Sequence, residues 1–143
     1  MHLLIVGLGN PGAQYKDTWH NLGFKVIDYF YEMNKDNFVI TNWNGSAMFE
    51  TAQGKINDND FTLAKPQKFM NLSGQAIKVL LPIVGVTIDN LWVVHDEADL
   101  ALGRLKISRG TSAAGHKGVL SIMESIGDIN FVRFRIGIAT EPT

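Results

Sequence analysis

Apolar and polar positions alternate along this chain with two different periods, and the changes of period divide it into elements. Short runs with strand character fall at 2–6, 37–41, 47–52, 61–65, 91–95, 104–108 and 132–138. Helical spacing covers about 19–34, 71–84 and 116–126. In the first of these, Leu22, Val26, Phe30 and Met33 fall on one face, and Thr18 stands where an N-cap is wanted. The second, "GQAIKVLLPIVG", carries Pro82, which should bend or end it. Strands alternating with helices, around a hairpin-like middle, predict a single α/β domain with a mixed central β-sheet flanked by helices. "LWVVHD" predicts a buried central strand that delivers His95 and Asp96 at its carboxyl end, where open α/β sheets bind their ligands. "HDEADLALG" then sets Asp96 on a strand-end loop, with Glu97 and Asp99 as competing carboxylates. The first strand delivers "GLGN" at its own carboxyl end, so Asn10 and Asp96 are expected on one rim.

The opening run "LLIVGLGNPG" has the form of a dinucleotide-binding turn, with Gly7, Gly9 and Gly12 at G-x-G-x-x-G. That fingerprint needs a helix starting at the glycines and an acidic residue after the second strand to hold a ribose. Pro11 keeps Asn10 extended, "AQYKD" has no helical apolar repeat, and Asn42 follows the expected second strand with no Asp or Glu nearby. The nucleotide-cofactor reading fails on both counts.

Composition narrows the remaining classes. At 143 residues, 45% apolar and 19% charged, the chain has the make-up of one globular domain with a real core. No apolar run approaches the roughly 18 residues that span a membrane, and "LLIV" is too short for a signal-peptide core, so a cytoplasmic protein is expected. With no cysteine there is no disulfide, thiol nucleophile or cysteine metal site. The net charge of −1 gives no bulk attraction to nucleic acid, but residues 104–135 carry a local excess of +4, with Arg104, Lys106, Arg109, Lys117, Arg133 and Arg135 against Glu124 and Asp128. Such a run is either a solvated face or a surface that tracks phosphates.

Histidine is scarce: His2, His20, His95 and His116. Without H-x-x-x-H spacing or cysteine, a metal-free pair of histidine and carboxylate is the better expectation, with His20 and Asp96 as candidates. Asn10 follows a glycine turn, and Asn71 in "KFMNLSG" opens a helix. Both are ordinary cap or turn positions, and both can donate N–H to developing oxyanion charge. The small-residue loop "GTSAAGHKG" (110–118) leads into the third helix, and its amides can serve an anion or carbonyl.

Taken together, "GLGNPG", "YKDTWHNLGF", "KPQKFMNLSGQAI", "HDEADLALGRLKI", "AGHKGVLSI" and "FVRFRIGIA" resemble, in order and spacing, the bacterial-type peptidyl-tRNA hydrolase family, over nearly the whole chain. The resemblance implies that family's fold and hydrolysis of the ester between a peptide and the 3′ ribose of tRNA, freeing tRNA for reuse. It implies His20 as the catalytic histidine and Asp96 as the carboxylate that orients it. Asn10 and Asn71 would hold the substrate and its carbonyl region, Tyr15 and Met70 would line the crevice, and Gly115, His116 and Lys117 would lie at the substrate. Lys106 and Arg135 fall where the family places contacts to tRNA phosphates. No cofactor and no metal is implied, and peptidyl-tRNA is the expected partner of a monomer with neither membrane nor protein partner. Two positions and one segment depart from the family pattern: Lys117 stands for Asn in "GHKG", Trp19 for Arg in "TWHN", and "GTSAAG" for a glycine-rich run. Residues 1–143 would form one such domain without the family's C-terminal helices. Two other functions share these residues: a module that grips tRNA or nascent peptide without turnover, and a small esterase of the same fold.

Overall fold

The computed structural model describes residues 1–36, 39–41 and 43–140. From the N-terminus, β1 (His2–Gly7) leads through α1 (Leu22–Asn34) to β2 (Val39–Ile40), β3 (Asn44–Gly45) and the hairpin β4 (Phe49–Ile56) and β5 (Asn59–Pro66). Then α2 (Ser73–Val84) precedes β6 (Leu91–Ala101) and β7 (Leu105–Arg109), and α3 (Lys117–Ile126) precedes β8 (Val132–Ala139). Residues 37, 38 and 42 of the expected second-strand region lie outside the described residues. The strand order is β2-β4-β5-β1-β6-β8-β7, with β3 paired to β4. The four central strands β5, β1, β6 and β8 run parallel, while β2, β4 and β7 pair antiparallel with their neighbours. This is the mixed sheet, flanked by helices, that the alternation predicts.

Side chains of β1 point alternately to the two faces of the sheet. Leu4 and Val6 are fully buried against Ile77 and Leu80 of α2 and Val119 and Ile122 of α3. Leu3 and Ile5 face the other layer, where Ile27 and Tyr31 of α1 pack with Phe61, Leu63 and Val94. The buried stripe of α1 is therefore Gly23, Ile27 and Tyr31, one position on from the face predicted by periodicity, and Met33 is exposed. The shift comes from the backbone. A Cβ on Gly7 would lie 2.3 Å from the Gly23 carbonyl oxygen, and one on Gly23 would lie 2.5 Å from Leu8 N and Val94 O. Two glycines let the start of α1 rest directly on the end of β1, and that contact sets the helix's rotation. Gly7 thus serves helix–strand packing.

Other boundaries move for similar reasons. Residues Trp19–Asn21 form a 3-10 turn and α1 begins only at Leu22; the Thr18 hydroxyl donates to Tyr15 O at 2.7 Å and makes no cap bond. Met70–Leu72 is likewise a 3-10 turn ahead of α2. Helix α2 runs two residues past Pro82 and stops at Gly85, left-handed at φ 78°. The largest change is β6. Its ladder with β8 continues through Asp96 opposite Ile136 and Glu97 opposite Gly137, so Asp96 lies within a strand and not on a loop. No helix among the described residues is long and apolar enough to cross a membrane.

Helices α2 and α3 also meet through a glycine. Gly74 N donates to Ser121 Oγ at 2.9 Å, and a Cβ on Gly74 would lie 2.1 Å from Ser121 O. Because that neighbour is backbone, the helices must separate to admit a methyl group. Gly74→Ala is expected to destabilise the fold by about 2 kcal/mol, the overpacking cost less the gain in helix propensity. A urea melt with an unchanged or raised midpoint would show that the helices give way freely.

Candidate active site

The register of the central strands opens the site. β1 pairs with β6 only as far as Gly7 opposite Val94, after which Leu8 N donates to Val94 O at 3.0 Å and the chain turns away. Beyond that point β6 keeps a neighbour on one side alone, and Asp96 stands beside the gap. Into the gap come the turn after β1, the 3-10 turn carrying His20, the turn at Met70–Leu72 and the start of α3.

Asp96 sits between two imidazoles. Its Oδ2 is 2.6 Å from His20 Nδ1 and its Oδ1 is 2.9 Å from His116 Nε2. Proton positions follow from the outer partner of each ring. His116 is the N-cap of α3, and its Nδ1 accepts from the backbone N–H groups of Gly118 (3.1 Å) and Val119 (3.3 Å). An acceptor nitrogen carries no proton, so neutral His116 has its proton on Nε2 and donates it to Asp96. Asp96 then accepts the Nδ1–H of His20, which leaves the His20 Nε2 lone pair unprotonated. Asp96 has a side chain only 4% exposed, whereas that of His20 is 46% exposed. The same three residues bring possible ligand atoms within 4.8 Å of one another, a spacing that would admit a metal ion. The tautomer of His116 argues against such use, because its Nε2 lone pair is engaged by a proton that Nδ1 cannot take up.

The charges agree with this arrangement. Burial pushes the Asp96 carboxyl up, but the hydrogen bonds from His116 and His20 outweigh it and hold the group well below the ordinary carboxylate range. The bond to Asp96 raises the His20 pKa above its ordinary 6.5, against partial burial and the charge of Lys117. His95 behaves differently. Burial, aided by the neighbouring His116, pushes it down to about 3. Its Nδ1–H donates to Asp96 O at 2.7 Å and its Nε2 accepts from Arg133 Nε at 3.1 Å. His95 is therefore a neutral strut between the Asp96 backbone and Arg133.

His20 opens on a cavity of about 450 Å³ lined by Asn10, Phe69, Met70, Asn71, Gly115 and Lys117. Asn10 is clamped on three sides. Its N–H donates to Asn21 Oδ1 (2.7 Å), its carbonyl accepts from Asn21 Nδ2 (2.9 Å), and its Oδ1 accepts from Met70 N (2.6 Å). The Nδ2 donors of Asn10 remain for a ligand. Met70 is buried and forms the floor, while Asn71 is exposed on the wall. Tyr15 stands one step back, edge-on to Phe69 with centroids 6.2 Å apart. His116 differs from the substrate contact expected of it, since both ring nitrogens are bonded within the protein.

Lys106 and Arg135 lie apart from the cavity, directly opposite each other on β7 and β8. Lys106 is exposed. Arg135 has a side chain 11% exposed and donates from Nε to the buried Glu97 Oε1 at 2.8 Å. Of the basic run, Arg133 is fully buried; its Nη1 donates to Thr111 O, Thr111 Oγ1 and Ser112 O, and so fixes the loop leading to Gly115. Pattern reading missed three contributors: Asn21, Phe69 and Arg133. Asn21 and Phe69 each adjoin a residue it did select, but nothing in their spacing shows where they reach.

Comparison with known proteins agrees with the fold. The sequence profile of the family described as "Peptidyl-tRNA hydrolase" matches residues 4–143. The chain is 43% identical over 139 residues to a peptidyl-tRNA hydrolase of Lawsonia intracellularis, covering 97% of this chain and 68% of that protein. It is 43% identical over 138 residues to one from Wolbachia pipientis, covering 96% and 72%. A crystal structure of peptidyl-tRNA hydrolase from Acinetobacter baumannii superposes with a TM-score of 0.87 at 32% identity, covering 99% of this chain and 70% of that one.

Proposed function

The chain belongs to the peptidyl-tRNA hydrolase family and hydrolyses peptidyl-tRNA to release tRNA; on that premise we propose that His20 is the general base and Asp96 the carboxylate that orients it. One observation carries the assignment: the 2.6 Å bond from His20 Nδ1 to an Asp96 already held from behind by His116. Neutral His20 takes a proton at Nε2 from a water molecule as the water oxygen bonds to the ester carbonyl carbon. Asp96 stays ionised and stabilises the imidazolium that forms. When the tetrahedral carbon collapses, its bond to the ribose oxygen breaks and His20 returns the proton to that oxygen. Asn71 and the Nδ2 of Asn10 offer donors around the carbonyl. Met70, Phe69 and, behind it, Tyr15 give the cavity an apolar side for the last residue of the peptide. The chemistry needs no metal and no cofactor.

The assay is release of labelled N-acetyl-aminoacyl groups from tRNA, with free aminoacyl-tRNA and an ordinary ester as controls. Hydrolysis of the N-blocked tRNA substrate well above both controls is expected. Equal hydrolysis of the ordinary ester would favour the small-esterase reading, and binding without release would favour the non-catalytic module.

On the tRNA side, exposed Lys106 of β7, with exposed Arg104 just before the strand and exposed Arg109 at its end, supports a phosphate-tracking edge, with Arg135 beside it. Phosphate contacts release counterions, so log affinity should fall with log salt at a slope of about 1.4–1.8 for two contacts. Lys106→Ala should lower that slope by about one. Should a phosphate-free ester lose as much with salt as tRNA does, this edge is not the phosphate site. A cytoplasmic monomer fits a substrate produced by aborted translation.

A further inference from the structure

Lys117 is the one residue of the cavity wall whose charge the local structure opposes. It is the first residue of α3, where the positive end of the helix disfavours a cation, and the first turn of that helix holds no acidic residue. Among the described residues no carboxylate pairs with it. It shares the cavity with His20 and works against protonation of that ring. A cation beside a base that must itself become a cation costs the reaction, unless an anion forms within reach of both. Ester hydrolysis produces such an anion twice, first on the carbonyl oxygen and then as the carboxylate of the released acid.

We propose that the Lys117 ammonium is the electrophile of this site, taking the negative charge that develops on the scissile carbonyl oxygen and then pairing with the carboxylate of the released peptide. The inference rests on the hydrolase reading. As the water oxygen bonds to the carbonyl carbon and its proton passes to His20 Nε2, the carbonyl π pair moves onto oxygen, beside Lys117 Nζ. When that pair returns, the bond from carbon to the ribose oxygen breaks and His20 protonates the leaving oxygen. The new peptide acid gives up its remaining proton to solvent and stays against Lys117 as a carboxylate. An ammonium suits this role better than an amide, since it donates three N–H bonds and accepts none. The positive charge also explains why α3 tolerates Lys at a position where it weakens the helix.

The test uses the full chain with Lys117→Gln and Lys117→Arg, each checked by its thermal melt. Substrates are N-acetyl-aminoacyl-tRNA and the phosphate-free 3′ N-acetyl-aminoacyl ester of adenosine. Lys117→Gln should lower kcat on both to a similar extent, on the order of 10²-fold for a lost oxyanion donor, while Lys117→Arg stays within about tenfold of the parent. Binding of an N-acetyl amino acid, followed by NMR titration, should weaken about tenfold in Lys117→Gln, and binding of its uncharged methylamide should not change. A loss confined to the tRNA substrate would make Lys117 a phosphate contact and overturn the proposal. Unchanged carboxylate binding would overturn it as well. The titration needs no turnover, so an inactive parent protein would sink the hydrolase reading and still leave Lys117 tested.

Discussion

His20→Ala is expected to lose at least 10³-fold in turnover while the protein stays folded and still binds tRNA. General-base transfer alone contributes about 10²–10⁴, and the alanine variant also loses the group that holds the attacking water. The fold should survive, because the His20 side chain is half exposed and, among the described residues, bonds only to Asp96. Asp96 keeps its bond from His116, and water can fill the space left by the ring, so the stability cost is about 1 kcal/mol. Single-turnover release from N-acetyl-aminoacyl-tRNA, a thermal melt and tRNA binding measure the three quantities separately. Retention of more than a tenth of the parent rate would exclude His20 as the base. The parent activity should also withstand EDTA. Loss in EDTA with recovery on added zinc would mean that the proton placed on His116 Nε2 is wrong.

Asp96→Asn is expected to be nearly as damaging, through the position of a single proton. His116 is held as the Nε2–H tautomer by the two α3 amides on its other nitrogen, so it requires an acceptor at position 96. Asn has one acceptor oxygen and one donor nitrogen. With the oxygen turned to His116, its NH₂ faces His20 Nδ1 and drives the His20 proton to Nε2, the atom that must be empty to take a proton from water. A wrong tautomer of this kind costs on the order of 10⁴ in related hydrolytic sites. Imidazole ¹⁵N shifts should show His20 protonated at Nε2 in the variant and at Nδ1 in the parent. The pH profile gives a second readout. Asp96 raises the His20 pKa above 6.5, and activity requires neutral His20, so the parent's acid limb should lie above pH 6.5. In Asp96→Asn the raising charge is gone, and the acid limb of the residual activity should move to lower pH. A limb that stays in place would show that some other group titrates there.

Much of this architecture can be seen in the chain by itself. Among the described residues the two periodicities locate every long strand and all three α-helices, because the side-chain repeat follows the local backbone. His20 and Asp96 were also legible, as a scarce histidine and a carboxylate close to the end of a central apolar run. The errors came where a distant backbone decided a local detail. The face of α1 turned by one position because Gly23 rests on the end of β1, and Asp96 lies inside β6 because β8 extends the ladder past it. The basic run misled for a related reason. Arg133 counts as a positive charge in the sequence, yet it is buried as a strut for the loop before Gly115.

The sequence by itself determined the elements, the layer type and the residues able to do the chemistry, since propensity, period and side-chain chemistry are carried by each short segment. Only the tertiary structure decided what those residues are to one another. His20 and Asp96 are 76 positions apart, and Asp96 and His116 are 20 apart. Their protonation depends on which partner each ring nitrogen meets, and the strand order and register that bring those partners together are properties of the whole sheet. A histidine in the sequence is an acid, a base or a cap in equal measure; the α3 amides make His116 a donor, and that donor holds the Asp96 that leaves His20 its free lone pair.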